Sequence, residues 1–190
     1  MDALTYHYTL YDLLCLYEFE PRLEPLHRDK HCRALIGWAE KEVLFGNDSE
    51  TLLILASFCL DVNLDYDEIN NYLNRYLYES KIKKPSIEAS ALTWLKIQMW
   101  FLLNSQNTED IEENLSLFSR YFLDFSPRFF SKTVSYLNKF YYELYDNSWE
   151  DYPAKAELLN EQAILYLINA YIQPFYRKLS CNDWLTLLAR

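Results

Sequence analysis

Hydrophobic residues recur at intervals of three and four along most of this chain, the spacing typical of amphipathic α-helices. The first predicted helix is expected to end at Pro21 and Pro25, because proline cannot donate a backbone hydrogen bond. Its apolar face comprises Leu10, Leu13, Leu14 and Tyr17. The second predicted helix ends in a left-handed turn at Gly46-Asn47. Its apolar stripe comprises Leu35, Ile36, Trp38, Ala39 and Val43.

The third hydrophobic segment, TLLILASFCL at residues 51–60, is apolar on nearly all sides. This pattern favours a central buried helix, with a buried strand as the competing interpretation. Asp65 followed by Glu68 is typical of a capping box at the start of a fourth helix. Thr108 is expected to cap a sixth helix, and Pro174 is expected to lie beyond the end of an eighth.

The whole pattern predicts an all-α protein, an irregular bundle or array of about eight to nine helices. We expect residues 1–190 to form a single helical domain, with a division into two lobes as the alternative. The polar, basic run ESKIKKPS near 79–86 is the best candidate for a linker between such lobes. The helices share no recurrent positions of Trp, Gly or Pro, so the sequence indicates no repeat family.

Charge narrows the choice of partner. The chain has 18 basic and 28 acidic residues, which give a formal net charge of −10. Phosphates repel such a chain, so direct binding of nucleic acid is disfavoured and a basic protein partner is favoured. Solubility alone also accounts for excess acid, and this explanation stays open.

Motifs for catalysis and cofactors are missing from the sequence. With two glycines, the chain has no phosphate-binding loop, and it has no nucleophile elbow. We predict no enzymatic activity, no metal and no cofactor. The first residues do not resemble a secretory signal, and no apolar run is long enough to cross a membrane, so a cytoplasmic location is expected. The four cysteines are expected to be buried, reduced thiols.

A candidate binding surface emerges from acidic and aromatic residues at two places. Tyr and Trp anchor many protein interfaces, and acidic neighbours attract a basic partner. The alternative explanation is that these clusters are solvated helix ends, and Phe140, Tyr141 and Leu144 are assigned to the core. The predicted partner-binding residues are Glu109, Asp110, Glu113, Tyr142, Tyr145, Asp146, Trp149, Glu150, Asp151 and Tyr152.

Two chemical alternatives rest on short patterns around the first two helices. Arg22 and His27 match the R-x4-H pattern of the small helical RNases known as HEPN domains. That family carries the motif within a helix, which Pro25 would interrupt here. His27 and His31 are four residues apart beside Cys32, a spacing that can chelate zinc, although Asp29 and Lys30 between them favour a solvated helix start.

Residues 34–79 resemble a pattern found in small bacterial helical proteins. The pattern is a W-A helix, a G-x-D-S turn, an L-x-I-L-A helix and an acidic helix. The matching residues are Trp38, Ala39, Gly46, Asp48, Ser49, Leu53, Ile54, Leu55, Ala56, Glu68, Ile69, Tyr72 and Leu73. Proteins of this kind include immunity proteins of toxin systems such as contact-dependent growth inhibition. The resemblance therefore implies a toxin neutraliser, and it implies no catalytic residue.

The first hypothesis is accordingly an immunity protein that covers the active site of a cognate toxin, plausibly a basic RNase domain. The second is a small helical RNase that uses Arg22 and His27. The third is a non-catalytic adaptor in a bacterial assembly, for which a large exposed apolar patch would be expected.

Overall fold

The computed structural model describes residues 6–23, 28–120, 127–146 and 153–190. These residues form helices joined by turns and short loops, with no β-strand among them. The α-helices are α1 (Leu10–Leu23), α2 (Arg28–Leu44), α3 (Glu50–Ser57), α4 (Tyr66–Glu79), α5 (Ile87–Leu103), α6 (Thr108–Arg120), α7 (Arg128–Tyr145), α8 (Glu161–Ser180) and α9 (Asn182–Leu188). Short 3₁₀ helices occupy Phe58–Leu60 and Lys155–Leu158. The prediction of an all-α protein with irregular helix packing is confirmed.

The chain divides into two compact units. The N-terminal unit is His7–Ser90, and the C-terminal unit is Ala91–Arg190 together with Tyr6. The division lies in the first turn of α5, four residues beyond the end of the run at 79–86. That run begins as the end of α4, and the linker role predicted for it stays a prediction.

The N-terminal unit packs α1 against α2, α2 against α3 and α3 against α4. Its core gathers Leu14 of α1, Leu35 of α2, Leu52 of α3 and Leu73 of α4, which are all less than 5% exposed. The ring of Trp38 meets that of Tyr76 edge-on, with centroids 5.7 Å apart. Burial of such large apolar side chains is the main stabilising contribution to a helical unit of this size.

The prediction that residues 51–60 form a central buried helix is wrong in one respect. The segment is helical, but it is amphipathic: Leu52 and Leu55 are buried, whereas Leu53 is 46% and Leu60 84% exposed. The helix buried on most sides is α5, in which residues 90–95 are all buried. In the C-terminal unit, Trp94 of α5 contacts the rings of Phe118 in α6 and Phe130 in α7.

Two prolines lie inside helices, and the second of them corrects the predicted end of α8. Pro21 lies in the last turn of α1, and Pro174 lies well within α8. A proline in a helix interior removes one backbone hydrogen bond and costs about 3 kcal/mol. In α8 the apolar face continues past the proline from Ile172 to Leu179, both fully buried, and burial of that face offsets the cost.

The helix caps explain several boundaries. The Asp65 carboxylate accepts hydrogen bonds from the backbone N–H groups of Asp67 and Glu68, which confirms the predicted cap of α4. Gly46 has a φ of 96°, as the predicted left-handed turn after α2 requires. Within the described residues, no helix combines the length and apolar character needed to cross a membrane.

Candidate protein-binding surface

The acidic start of α6 is organised by Asn107 rather than by Thr108. The Asn107 side chain accepts a hydrogen bond of 2.8 Å from the backbone N–H of Asp110 and donates one of 2.9 Å to the Asp110 carboxylate. Thr108 is the first residue of the helix, so its predicted role as the cap is wrong. The Asp110 carboxylate is therefore held at the start of α6. The side chains of Glu109, Glu112 and Glu113 are exposed and take no part in these two hydrogen bonds. The positive end of the helix dipole stabilises this acid.

An open pocket of about 440 Å³ lies where α6 packs against α7. Glu109, Glu112 and Glu113 of α6 and Tyr141 of α7 line it. Ser116, Ser119 and Arg120 continue the lining further along α6. We call the three glutamates together with Tyr141 and Tyr145 the acidic–aromatic surface.

Glu112 acts electrostatically on both tyrosines. Burial, Glu112 and Tyr141 raise the pKa of Tyr145 to about 12, in that order of importance. Burial, followed by Glu112 and Asp146, also raises the pKa of Tyr141. The rings of Tyr141 and Tyr145 are 5.9 Å apart between centroids. A carboxylate therefore lies next to half-buried phenol rings, the combination that accepts a cationic side chain through charge and through the ring face.

The structure brings some of the predicted residues together. Glu109 and Glu113 line the pocket, and the charge of Glu112 helps to raise the pKa of Tyr145. Tyr142 is 45% exposed and its ring meets that of Tyr141 edge-on. Asp146 ends α7, where its backbone N–H donates to the carbonyl of Tyr142. Four predicted residues lie outside the described part of the chain: Trp149, Glu150, Asp151 and Tyr152.

Two residues of this surface were missing from the predicted set. Glu112 follows Glu109 by three positions, so both lie on one helix face, and this spacing is a signal readable from the sequence. Tyr141 precedes Tyr145 by four positions for the same reason, but its apolar neighbours assigned it to the core. Its side chain is only partly buried, and it lines the pocket together with the three glutamates.

The residues of the alternative sites are placed elsewhere. Arg22 is exposed near the end of α1, and His27 lies outside the described residues, so the RNase pair is not tested. His31 is buried, and its Nε2 contacts the Glu20 carboxylate. Cys32 is also buried, and burial raises the pKa of its thiol to about 11. In the described part of the chain, no three His, Cys, Asp or Glu residues are grouped as a metal site would require.

A second open pocket, of about 460 Å³, lies at the start of α4 in the N-terminal unit. The Arg28 guanidinium lies 4.6 Å above the ring of Tyr66 there. Asp65 and Asp67 line the same pocket. Its charges are mixed and partly engaged in the cap of α4, so it favours no one class of ligand.

Comparison of the sequence with protein-family models, with curated proteins and with solved structures found no match. The resemblance of residues 34–79 to toxin immunity proteins therefore stays a prediction. Any function has to be argued from the surface of the molecule.

Proposed function

We propose that this chain is a non-catalytic immunity protein that binds a basic cytotoxic domain and covers its active site. The observation that carries the proposal is the acidic–aromatic surface, where Glu109, Glu112 and Glu113 border the same pocket as Tyr141. The cytoplasm is the location at which such a protein would meet its toxin.

The negative charge of the acidic–aromatic surface supports a basic cytotoxic domain as the partner. A nuclease active site binds phosphates and therefore presents cations, which three neighbouring carboxylates can engage in their place. At low salt, the net charge of −10 adds attraction toward a basic domain. Association should accordingly be fast at low salt and slower at high salt.

The aromatic residues supply the second contribution. Tyr141 and Tyr145 are rigid, large side chains that lose little conformational entropy when a partner covers them. Tyr142, which is 45% exposed, extends the area available for contact. Interfaces concentrate binding energy in such residues, with the charged groups providing orientation and rate of encounter.

The test begins with capture of proteins on the tagged chain from its native bacterium. Each captured basic protein is then purified, and two properties are measured: its affinity for the chain by calorimetry, and its arrest of growth in a bacterial host with and without the chain. The proposal requires one protein that is toxic alone, binds directly and is neutralised by co-expression. Capture without toxicity would favour the adaptor hypothesis instead.

Two double variants locate the interface. Glu112→Lys with Glu113→Lys reverses charge on the acidic–aromatic surface, and we expect affinity to fall at least roughly tenfold, because a lost interfacial charge pair costs about 2 kcal/mol or more. Glu40→Lys with Glu157→Lys makes the same change in net charge at exposed positions elsewhere. Equal weakening by both pairs would show that net charge alone matters, and the assigned surface would be wrong.

A further inference from the structure

A second surface of the C-terminal unit has the opposite charge. Residues 128–142 of α7 and 162–180 of α8 contain no Asp or Glu, although the chain has 28 of them. Five exposed cations lie on these stretches: Arg128, Lys132, Lys139, Arg177 and Lys178. Each helix has one carboxylate, Glu143 near the end of α7 and Glu161 at the start of α8, so the stretches between them have a local charge distinct from the net charge of the chain.

Ring contacts place α7 and α8 side by side. Phe140 stacks on Tyr171 with centroids 4.5 Å apart, and Phe129 contacts Phe175 at 6.3 Å. Because positions ascend along α7 as they descend along α8, the two helices are antiparallel. The start of α7 therefore lies beside the end of α8, as the position of Lys178 Nζ 6.0 Å from the Phe129 ring centroid also shows.

One ring of this stack remains open to solvent. Tyr136 stacks on Tyr171 with centroids 6.0 Å apart, and it is 40% exposed. Lys132 precedes it by four positions and Lys139 follows it by three, so both cations lie on the same helix face as the ring. We call Tyr136 and the five cations the basic–aromatic face.

Most of these cations are not neutralised by the protein. Lys139 pairs with Glu143 at 3.4 Å. Within the described residues, Arg128, Lys132 and Arg177 form no ion pair. Clustered like charges repel one another, so this arrangement costs stability unless an anion is bound.

We propose that the basic–aromatic face binds single-stranded nucleic acid. Proteins that bind single strands combine cations along the phosphates with aromatic rings on which bases stack, and both elements are present here. An acidic peptide would use the cations but not the exposed ring of Tyr136. The net charge does not prevent this contact, because charges further away than about 8 Å are largely screened at physiological salt. The proposal does not rest on the proposed immunity function, which uses the glutamates of α6 and Tyr141.

The test measures fluorescence anisotropy of a short labelled oligothymidylate and oligouridylate with the whole chain, at low and at physiological salt. A poly-glutamate peptide of equal length serves as the anionic competitor. We expect the oligonucleotides to bind, with affinity falling as salt rises. Binding of the peptide in preference to the oligonucleotides, or no binding at low salt, would overturn the proposal.

Variants test whether binding depends on this face or on nonspecific electrostatic attraction to the whole chain. Lys132→Glu with Arg177→Glu should abolish binding, whereas Lys41→Glu with Lys83→Glu, which reverses exposed cations in the N-terminal unit, should leave it within about twofold. Tyr136→Ala should weaken binding roughly five- to hundredfold through the lost stacking, and Tyr136→Phe should retain it. Thermal unfolding of each variant identifies any that fails to fold. Equal affinity of all folded variants would contradict the proposal.

Discussion

The hydroxyl of Thr51, at the start of α3, donates a hydrogen bond of 2.7 Å to the carboxylate of Glu79, at the end of α4. The Arg75 guanidinium donates to the other oxygen of the same carboxylate at 2.8 Å. These two hydrogen bonds, that from Thr51 first, lower the pKa of Glu79 below its ordinary value of 4.5. A single exposed carboxylate thus joins two helices of the N-terminal unit, and its ionised form is the one that the fold stabilises.

The contribution of Glu79 to stability should depend on pH. Because its pKa is lower in the folded state, the contribution is present above about pH 4.5 and is lost as the pH falls through the folded-state value. Glu79→Gln should therefore lower the urea midpoint at pH 7, and the difference from the unaltered protein should shrink in acid. Glu40→Gln, at an exposed position of α2, is the control. A difference that does not change with pH would contradict this account.

Tyr145 tests whether α6 and α7 are arranged as described. Its pKa of about 12, raised by burial and by Glu112, means that the folded protein resists ionisation of this phenol. Stability linked to it is fully present below about pH 10 and is lost as the pH rises towards 12. In an ultraviolet titration, Tyr145→Phe should reduce the amplitude of the late transition, to which Tyr11 and Tyr17 also contribute, and Glu112→Gln should shift the Tyr145 part of that transition to lower pH. An unshifted transition in Glu112→Gln would place the carboxylate away from the ring.

The helices were largely predictable from the sequence, whereas their burial was not. Periodicity located α2 and α4, because each presents one apolar face. It misjudged residues 51–60, of which Leu53 and Leu60 are exposed, since an apolar run alone does not show which sides other helices cover. For the same reason, the sequence predicted only some residues of the acidic–aromatic surface. The effect of the Glu112 charge on Tyr141 and Tyr145 depends on how α6 packs against α7. The spacing of residues within either helix does not predict that packing.

The cysteines provide a direct measure of burial. All four were expected to be buried, but only Cys15 and Cys32 are, whereas Cys59 and Cys181 are exposed. Burial also raises the pKa of Cys32 to about 11, which removes the reactive thiolate at neutral pH. A thiol reagent at pH 8 should therefore modify Cys59 and Cys181 quickly and the other two only after unfolding. The variant with Cys59→Ser and Cys181→Ser should show no fast phase, and a fast phase in it would contradict the packing of α1 against α2.

The ends of α2 and α4 have the same hydrogen-bonding pattern with different residues at its centre. After α2, Asn47 N–H donates to the carbonyl of Glu42 and Gly46 N–H to that of Val43. After α4, Ile82 N–H donates to the carbonyl of Leu77 and Lys81 N–H to that of Tyr78. Both are Schellman motifs, in which the central residue takes a left-handed conformation. Gly46 has a φ of 96° and Lys81 a φ of 56°.

Glycine takes this conformation without strain, whereas a residue with a Cβ loses roughly 1 kcal/mol or more. Lys81→Gly should therefore raise the free energy of unfolding by up to about 1 kcal/mol, and Gly46→Ala should lower it by a similar amount. Urea unfolding measures both. Lys83→Gly, at an exposed position just after the motif, is the control for removal of a lysine side chain and charge. If Lys81→Gly destabilised the protein as much as Lys83→Gly does, the end of α4 would not be held in the left-handed conformation.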